Sequence, residues 1–290
     1  MRNVPARTPV NTPLDDLASA VTVHAPDGTT GPRFDLRAAA GLGIALVRRD
    51  LALHYRHTRF GILWGVVPPL AAAGLLDLFL GRVGGIASAA GPVPYPVFLY
   101  AGLLAWQFLA RAASAGASSV VGSAWVITQV PFPRIVLPVS HVLTGAIDFL
   151  LGSIVLLGWT VAAGHPPGWH LLWWPLAVTS MTALGLGLGI ALAAAAVFVR
   201  DVIPATPYVM QVLLIASPVL YPLSSADARI PHVLFVANPC TGVLETFRAA
   251  WLGSAVDGPS LLASIALSLA LLVVGGRAFR RAEGRFADLV

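Results

Sequence analysis

Six stretches of this chain are apolar over close to the roughly 20 residues that a helix needs to cross a bilayer. They are Ile62–Leu80, Val97–Val120, Ile135–Ala163, Leu172–Phe198, Tyr208–Leu223 and Ser260–Gly276. A water-soluble fold has no way to bury six such runs and still keep a wet surface. Only 11% of the residues are charged, against roughly 25% in a soluble domain. The expected fold is therefore an all-α integral membrane protein with a six-helix transmembrane domain over residues 62–276. The fifth span is the shortest, and Pro218 and Pro222 break it. An even number of spans puts both termini on one side of the membrane.

The basic residues are 18 arginines with no lysine among them. A Walker A loop ends in Gly-Lys-Ser/Thr, and Schiff-base chemistry needs a lysine amine, so these 290 residues hold neither. Eight arginines precede the first span: Arg2, Arg7, Arg33, Arg37, Arg48, Arg49, Arg56 and Arg59. Arg134 and Arg200 lie in loops on the same side, and Arg277, Arg280, Arg281 and Arg285 follow the last span. Arg82, Arg229 and Arg248 fall on the other side, with Arg111 near or within a span. Fourteen against three predicts cytoplasmic termini by the positive-inside rule. The single cysteine, Cys240, has no partner for an intrachain disulfide or a CxxC metal site.

Residues 1–33 are polar and rich in proline and threonine, lack the basic-then-apolar order of a secretory leader, and read as a mobile cytoplasmic tail. Residues 34–61 follow. At about 100° per residue, Leu36, Ala40, Ile44, Val47 and Leu51 share one arc, with Arg37, Arg48, Arg49, Arg56 and Arg59 opposite. This predicts an amphipathic helix in the inner interface, either a functional element or an anchor for the first span. On the outer side, Ser224–Pro259 is too polar to cross. Asn238-Pro239 followed by Leu244, Phe247, Arg248 and Trp251 predicts a capped amphipathic helix at, or re-entering, the outer interface. Residues 277–290 form a cytoplasmic C-terminal tail.

Charged residues inside spans are functional by default, and Asp77, Arg111 and Asp148 are the candidates. Asp148 must face protein or a cavity, and structural pairing competes with an ion-coupling role for all three. The histidines His54, His57, His141, His165 and His170 make no HExxH or His/Cys cluster, and Ser140-His141 lacks a nucleophile elbow. No metal site is expected. Gly185, Gly187 and Gly189 with Ala193 form a small-residue face for close helix packing, either within the chain or across a dimer. Pro68-Pro69 is expected to kink the first span. Two cytoplasmic loops are punctuated by proline: WVITQVPFPRIVLP at Trp125–Pro138, and Arg200-Asp201 before Pro204 and Pro207. The first presents Phe132 and Arg134 on a proline-fixed turn, which suits docking into a groove on another protein, although such loops also serve as plain connections.

RRDLALHYRHTRFGILWGVVPPL (Arg48–Leu70) resembles the opening segment of permease subunits of polysaccharide-exporting ABC transporters, which export O-antigen, teichoic acid and related glycans. VPFPRIVLPVS (Val130–Ser140), VFVRDV (Val197–Val202), SPVLYPLS (Ser217–Ser224), NPCTGVLETFRAAWLG (Asn238–Gly253) and FRRAEGRFADLV (Phe279–Val290) follow in the same order. The resemblance implies a homodimer in the bacterial cytoplasmic membrane, bound to two copies of an ATP-binding ABC subunit that holds ATP and Mg²⁺. No cofactor is implied on this chain. The cargo implied is a lipid-linked polysaccharide carried on a polyprenyl diphosphate, with no nucleic acid involved. Val130, Pro131, Phe132, Pro133 and Arg134 take the place of the coupling helix, and Arg200-Asp201 that of the second ATPase contact. Ser224–Gly253, with Asn238, Phe247, Arg248 and Trp251, takes the place of the short helices closing the outer mouth. An arginine-only basic set with abundant Ala, Gly and Pro fits a GC-rich genome and an actinobacterial galactan.

Arginine matches phosphate oxygens as a bidentate fork. Arg56 and Arg59, with Gly61 allowing close backbone approach, are the expected contacts to the diphosphate headgroup. Sugar C–H faces lie well on aromatic rings, so Tyr55, Phe60, Trp64, Trp106, Phe108 and Tyr221 are candidate rungs, with core packing as the alternative for each. The rival functions are a drug- or lipid-exporting ABC permease, an ion-coupled secondary transporter and a membrane-embedded transferase. A secondary transporter would be expected to show inverted repeats with matching broken segments, and a transferase clustered acids for metal–diphosphate chemistry. Neither pattern is evident in the sequence.

Overall fold

A computed structural model describes residues 41, 43–51, 65–85, 93–123, 132–223 and 231–285. Among the described residues the regular structure is helical. The helices are α1 (residues 43–51), α2 (Val67–Leu76), α3 (Tyr95–Ser119), α4 (Val136–Ala162) and α5 (Trp174–Phe198). They continue with α6 (Val202–Ala216), α7 (His232–Ala237), α8 (Pro239–Leu252) and α9 (Gly258–Glu283). A π-helical turn, Asp77–Val83, extends α2, and a 3-10 turn, Trp169–Trp173, leads into α5.

Four segments are long and apolar enough to cross a membrane: Tyr95–Ser119, Val136–Ala162, Trp169–Phe198 and Gly258–Glu283. They match the expected second, third, fourth and sixth spans to within a few residues at most ends, because uninterrupted hydropathy sets them. The last differs most, since α9 continues seven residues past Gly276 to Glu283. The other two expected spans differ more. The fifth begins earlier, at Val202, because Pro204 sits in the first helical turn, where a missing N–H costs little. It ends at Ala216, since the residue before Pro218 is pushed out of helical geometry. At 15 residues it is about 22 Å long, short of the roughly 30 Å hydrocarbon core. Pro68 and Pro69 do not kink the first span; they lie in the first turn of α2 and start it. Residues 62–64 of that span lie outside the described residues.

Neighbouring positions fix the directions of the helices. Gly116 faces Gly189, and Gly185 faces Ala112, so α3 and α5 run the same way. Gly187 meets Leu271 and Gly275 meets Ala191, so α9 runs parallel to both. Gly152 meets Leu104 while Gly145 meets Phe108, so α4 runs opposite. The small-residue face of the fourth span is thus consumed within the chain, Gly185 and Gly189 against α3 and Gly187 against α9. α3 is the central helix, buried along most of its length, with α2 and α6 on its flanks.

This arrangement gathers Arg48, Arg49, Arg134, Arg200, Arg277, Arg280, Arg281 and Arg285 at one end of the bundle, the basic end. Arg82 and Arg248 lie towards the other. At the basic end α1 docks through Leu46, which joins Val120, Val136, Leu137, Ile190, Val197 and Phe279 in a core cluster. The expected apolar arc of α1 is therefore offset: the bundle takes Leu46 and the edge near Gly43, where a Cβ would stand 3.5 Å from Val136. Ile44 is left exposed. The rest of residues 34–61 lies outside the described residues.

Candidate functional site

At the far end, the stop after α6 leaves residues 217–221 as a non-helical strap. Its carbonyls have no helical partners, and buried carbonyls must find others. Side chains from two helices supply them. Arg248 on α8 donates to the carbonyls of both Pro218 and Val219. Tyr95 at the start of α3 donates its hydroxyl to the Leu220 carbonyl at 2.8 Å. The Asn238 amide donates to the Ser217 hydroxyl at 2.8 Å, and its oxygen accepts the Cys240 N–H at 3.0 Å, capping α8.

Arg248 is 1% exposed. It also donates to Glu245 Oε1 at 3.1 Å, one helical turn back, and its guanidinium carbon sits 3.9 Å from the Phe98 ring centroid, a cation–π contact. Gly102 makes room for this group, since a Cβ there would stand 2.6 Å from the Val219 carbonyl oxygen.

The α8 helix, expected as a capped amphipathic helix at or re-entering the outer interface, carries the Asn238 cap and is packed inside the protein. Every residue from Cys240 to Trp251 is buried, because Glu245 and Arg248 neutralise each other inside the protein. Gly242 donates its N–H to Ser264 Oγ of α9 at 3.0 Å. The helix ends at Gly253, whose φ of +69° favours glycine.

The expected aromatic positions divide. Trp106, Phe108, Phe247 and Trp251 are buried and join the protein's own core. Phe108 packs on Phe149 at 5.3 Å, Phe149 on Phe247 at 5.1 Å, and Phe247 on Trp251 at 6.3 Å between ring centroids. Tyr221 instead lines a cleft of about 530 Å³ formed with Leu213, Ala216, Phe235, Asn238 and Pro239. Tyr55, Arg56, Arg59, Phe60, Gly61 and Trp64 lie outside the described residues.

The charged residues expected inside spans, Asp77, Arg111 and Asp148, are paired. Asp148 on α4 is buried and bonded to Arg111 on α3. Asp77, also buried, meets Arg82 at 3.3 Å across the π-helical turn. Local pairing thus accounts for both acids.

At the basic end, Phe132 packs against the cluster containing Leu46 and Phe279. The Arg134 backbone N–H donates to Glu283 Oε1 at 3.0 Å. The Arg134 guanidinium donates to the Glu283 carbonyl at 2.6 Å, on the last turn of α9. Pro133 is half-buried beside them, and Arg200 and Asp201 form an exposed turn between α5 and α6. Val130 and Pro131 lie outside the described residues. The engagement of Glu283 was invisible to sequence reading, because 149 residues separate it from Arg134; the only signal was a lone acid among Arg277, Arg280, Arg281 and Arg285.

A bundle of long apolar helices with paired internal charges and arginines collected at one end is a multi-pass membrane protein. The chain belongs to the ABC-2 type transporter family, which it matches over residues 42–252. It is 29% identical over 253 residues to the O-antigen export system permease protein RfbA of Myxococcus xanthus, covering 86% of this chain and 95% of that one. It is 23% identical over 260 residues to the protein of the same name from Klebsiella pneumoniae, covering 89% and 98% of the two chains.

Proposed function

We propose that this chain is the membrane-embedded permease of an ATP-driven exporter that carries a lipid-linked polysaccharide out across the bacterial cytoplasmic membrane. The observation that carries this reading is the likeness to O-antigen export permeases along nearly their whole length, together with membership of the ABC-2 type transporter family. These 290 residues hold no lysine and so no Walker A loop, which supports a reading in which ATP hydrolysis belongs to a separate subunit. Two copies of that subunit dock at the basic end, which faces the cytoplasm because arginine-rich loops are retained there.

The permease works as a homodimer with the cargo path between its two copies. The outward faces of α2 (Leu75, and Phe79 in its π-helical extension) and of α6 (Tyr208, Val212, Ile215) are exposed, and each of these helices meets the bundle mainly through α3. A second copy would cover such faces. The diphosphate headgroup of the cargo enters at Arg56 and Arg59 beside Gly61, where each guanidinium forks onto phosphate oxygens. Tyr55, Phe60, Trp64 and Tyr221 offer ring faces to the sugars. The strap at residues 217–221 and α8 close the outer mouth.

Replacing Arg56 and Arg59 together by glutamate tests the headgroup assignment. Surface glycan is expected to fall at least about tenfold, the factor carried by one lost charge-assisted hydrogen bond, with the membrane level of the protein unchanged. Wild-type export by the double variant would remove these two residues from the cargo path.

A further inference from the structure

The basic end and the strap end are joined by one continuous element. α9 spans 26 residues, about 39 Å, and is seated along its length against α5, where Gly187 meets Leu271 and Gly275 meets Ala191. At its start it is locked to α8. A Cβ on Gly242 would lie 2.6 Å from the Leu261 N, and the Gly242 N–H is bonded to Ser264 Oγ. At its finish it grips the loop before α4 through Glu283, whose carboxylate accepts the Arg134 backbone N–H and whose carbonyl accepts the Arg134 guanidinium. The same turn contributes Phe279 and Ala282 to the cluster on which Phe132 packs. The turn is two-faced: Phe279 and Ala282 are buried, while Arg277, Arg280 and Arg281 are exposed. Glu283, half-buried, is the acid that reaches the loop.

We propose that Glu283 is a positioning residue for energy coupling: it seats the 132–134 loop on the end of α9, so that displacement of the loop is carried along α9 to α8 and the strap. This rests on the reading of that loop as the contact for the ATP-hydrolysing subunit. The hydrogen bond from the loop backbone to the Glu283 carboxylate adds to the Arg134 guanidinium bond and the Phe132 packing, so that backbone and side chains of the loop are held on the same helical turn. The seat needs an acceptor at this position but no negative charge, because a backbone N–H is satisfied equally by a carboxylate or an amide oxygen.

The test uses the full chain expressed with its ATPase subunit in the source cells, and compares Glu283→Ala with Glu283→Gln. The readouts are membrane level, co-purification of the ATPase, ATP hydrolysis by the purified complex and surface glycan. In Glu283→Ala, surface glycan is expected to fall about tenfold, the factor that one such hydrogen bond carries, while membrane level and ATPase binding stay at wild type and hydrolysis continues uncoupled from export. Glu283→Gln is expected to restore export to within about twofold of wild type, because the amide oxygen still accepts the Arg134 N–H. Equal export by Glu283→Ala and wild type, or export lost only in proportion to the protein level, would overturn the inference and leave the proposed function standing. A wild-type chain that co-purifies with no ATPase would overturn the function itself.

Discussion

Arg248→Leu is expected to be the most damaging single substitution in the chain, costing about 3–5 kcal/mol and lowering the thermal midpoint of the purified protein by about 10 °C. The guanidinium holds two strap carbonyls, the Glu245 carboxylate and the Phe98 ring at once. Leucine matches its bulk in part but leaves Glu245 buried without a counter-ion and two carbonyls without donors, which is the costly way to break a buried pair. Arg248→Lys retains the charge but has no planar fork to bridge Pro218, Val219 and Glu245, so it should recover only part of the loss. The double variant Arg248→Leu with Glu245→Leu should be more stable than Arg248→Leu alone, because it also removes the stranded acid. Thermal unfolding of the four proteins in detergent checks that order. A double variant no more stable than the single would show that the Glu245 pairing is not what the arginine protects.

Gly116→Val is expected to be nearly as damaging, for a steric reason. Gly116 on α3 lies directly against Gly189 on α5, and a Cβ at this point would stand 2.8 Å from the Gly189 carbonyl oxygen. Both neighbours are backbone, so no side chain can rotate away and the two helices must part. Overpacking of this kind costs about 1–3 kcal/mol, occasionally more, and here it also loosens the packing of α9 beyond α5. Gly158 on α4 is the control, since nothing lies within 4 Å of a Cβ built there. Gly158→Ala should leave the protein unchanged or slightly more stable, as a helix gains up to about 1 kcal/mol on replacing glycine. The yield of monodisperse protein on size-exclusion chromatography, with the thermal midpoint, distinguishes the two. Equal behaviour of Gly116→Val and Gly158→Ala would contradict the close α3–α5 crossing.

These two sites show where sequence reading succeeds and where it stops. The long spans are legible because uninterrupted hydropathy over some 25 residues has only one structural solution in a bilayer. The glycine face of α5 was legible as a packing surface, but its partners were not, because closeness to Gly116 and Leu271 is a property of three helices together. The α8 segment was legible as a capped helix, but its surroundings were not: Glu245 and Arg248, at spacing three, neutralise each other, and Phe98, Pro218 and Val219 complete the shell from elsewhere in the chain. Pro68-Pro69 misled because a proline's effect depends on whether it falls in the first turn or the interior of a helix, and the start of α2 is set by tertiary structure. Trp106 and Phe108 were ambiguous between path and core; both are buried in the cluster that also holds Phe149 and Phe247, a neighbourhood that only the assembled helices define.

The central claim is that these residues form a conduit driven by a different polypeptide docked at the basic end. It is tested most directly by reconstituting the purified chain into liposomes, with and without its ATPase subunit, and following a fluorescently tagged lipid-linked glycan from the source cells across the bilayer. The account predicts translocation only when the ATPase subunit, Mg²⁺ and hydrolysable ATP are all present on the side of the basic end. Translocation by the chain alone, with no nucleotide-hydrolysing subunit, would contradict it.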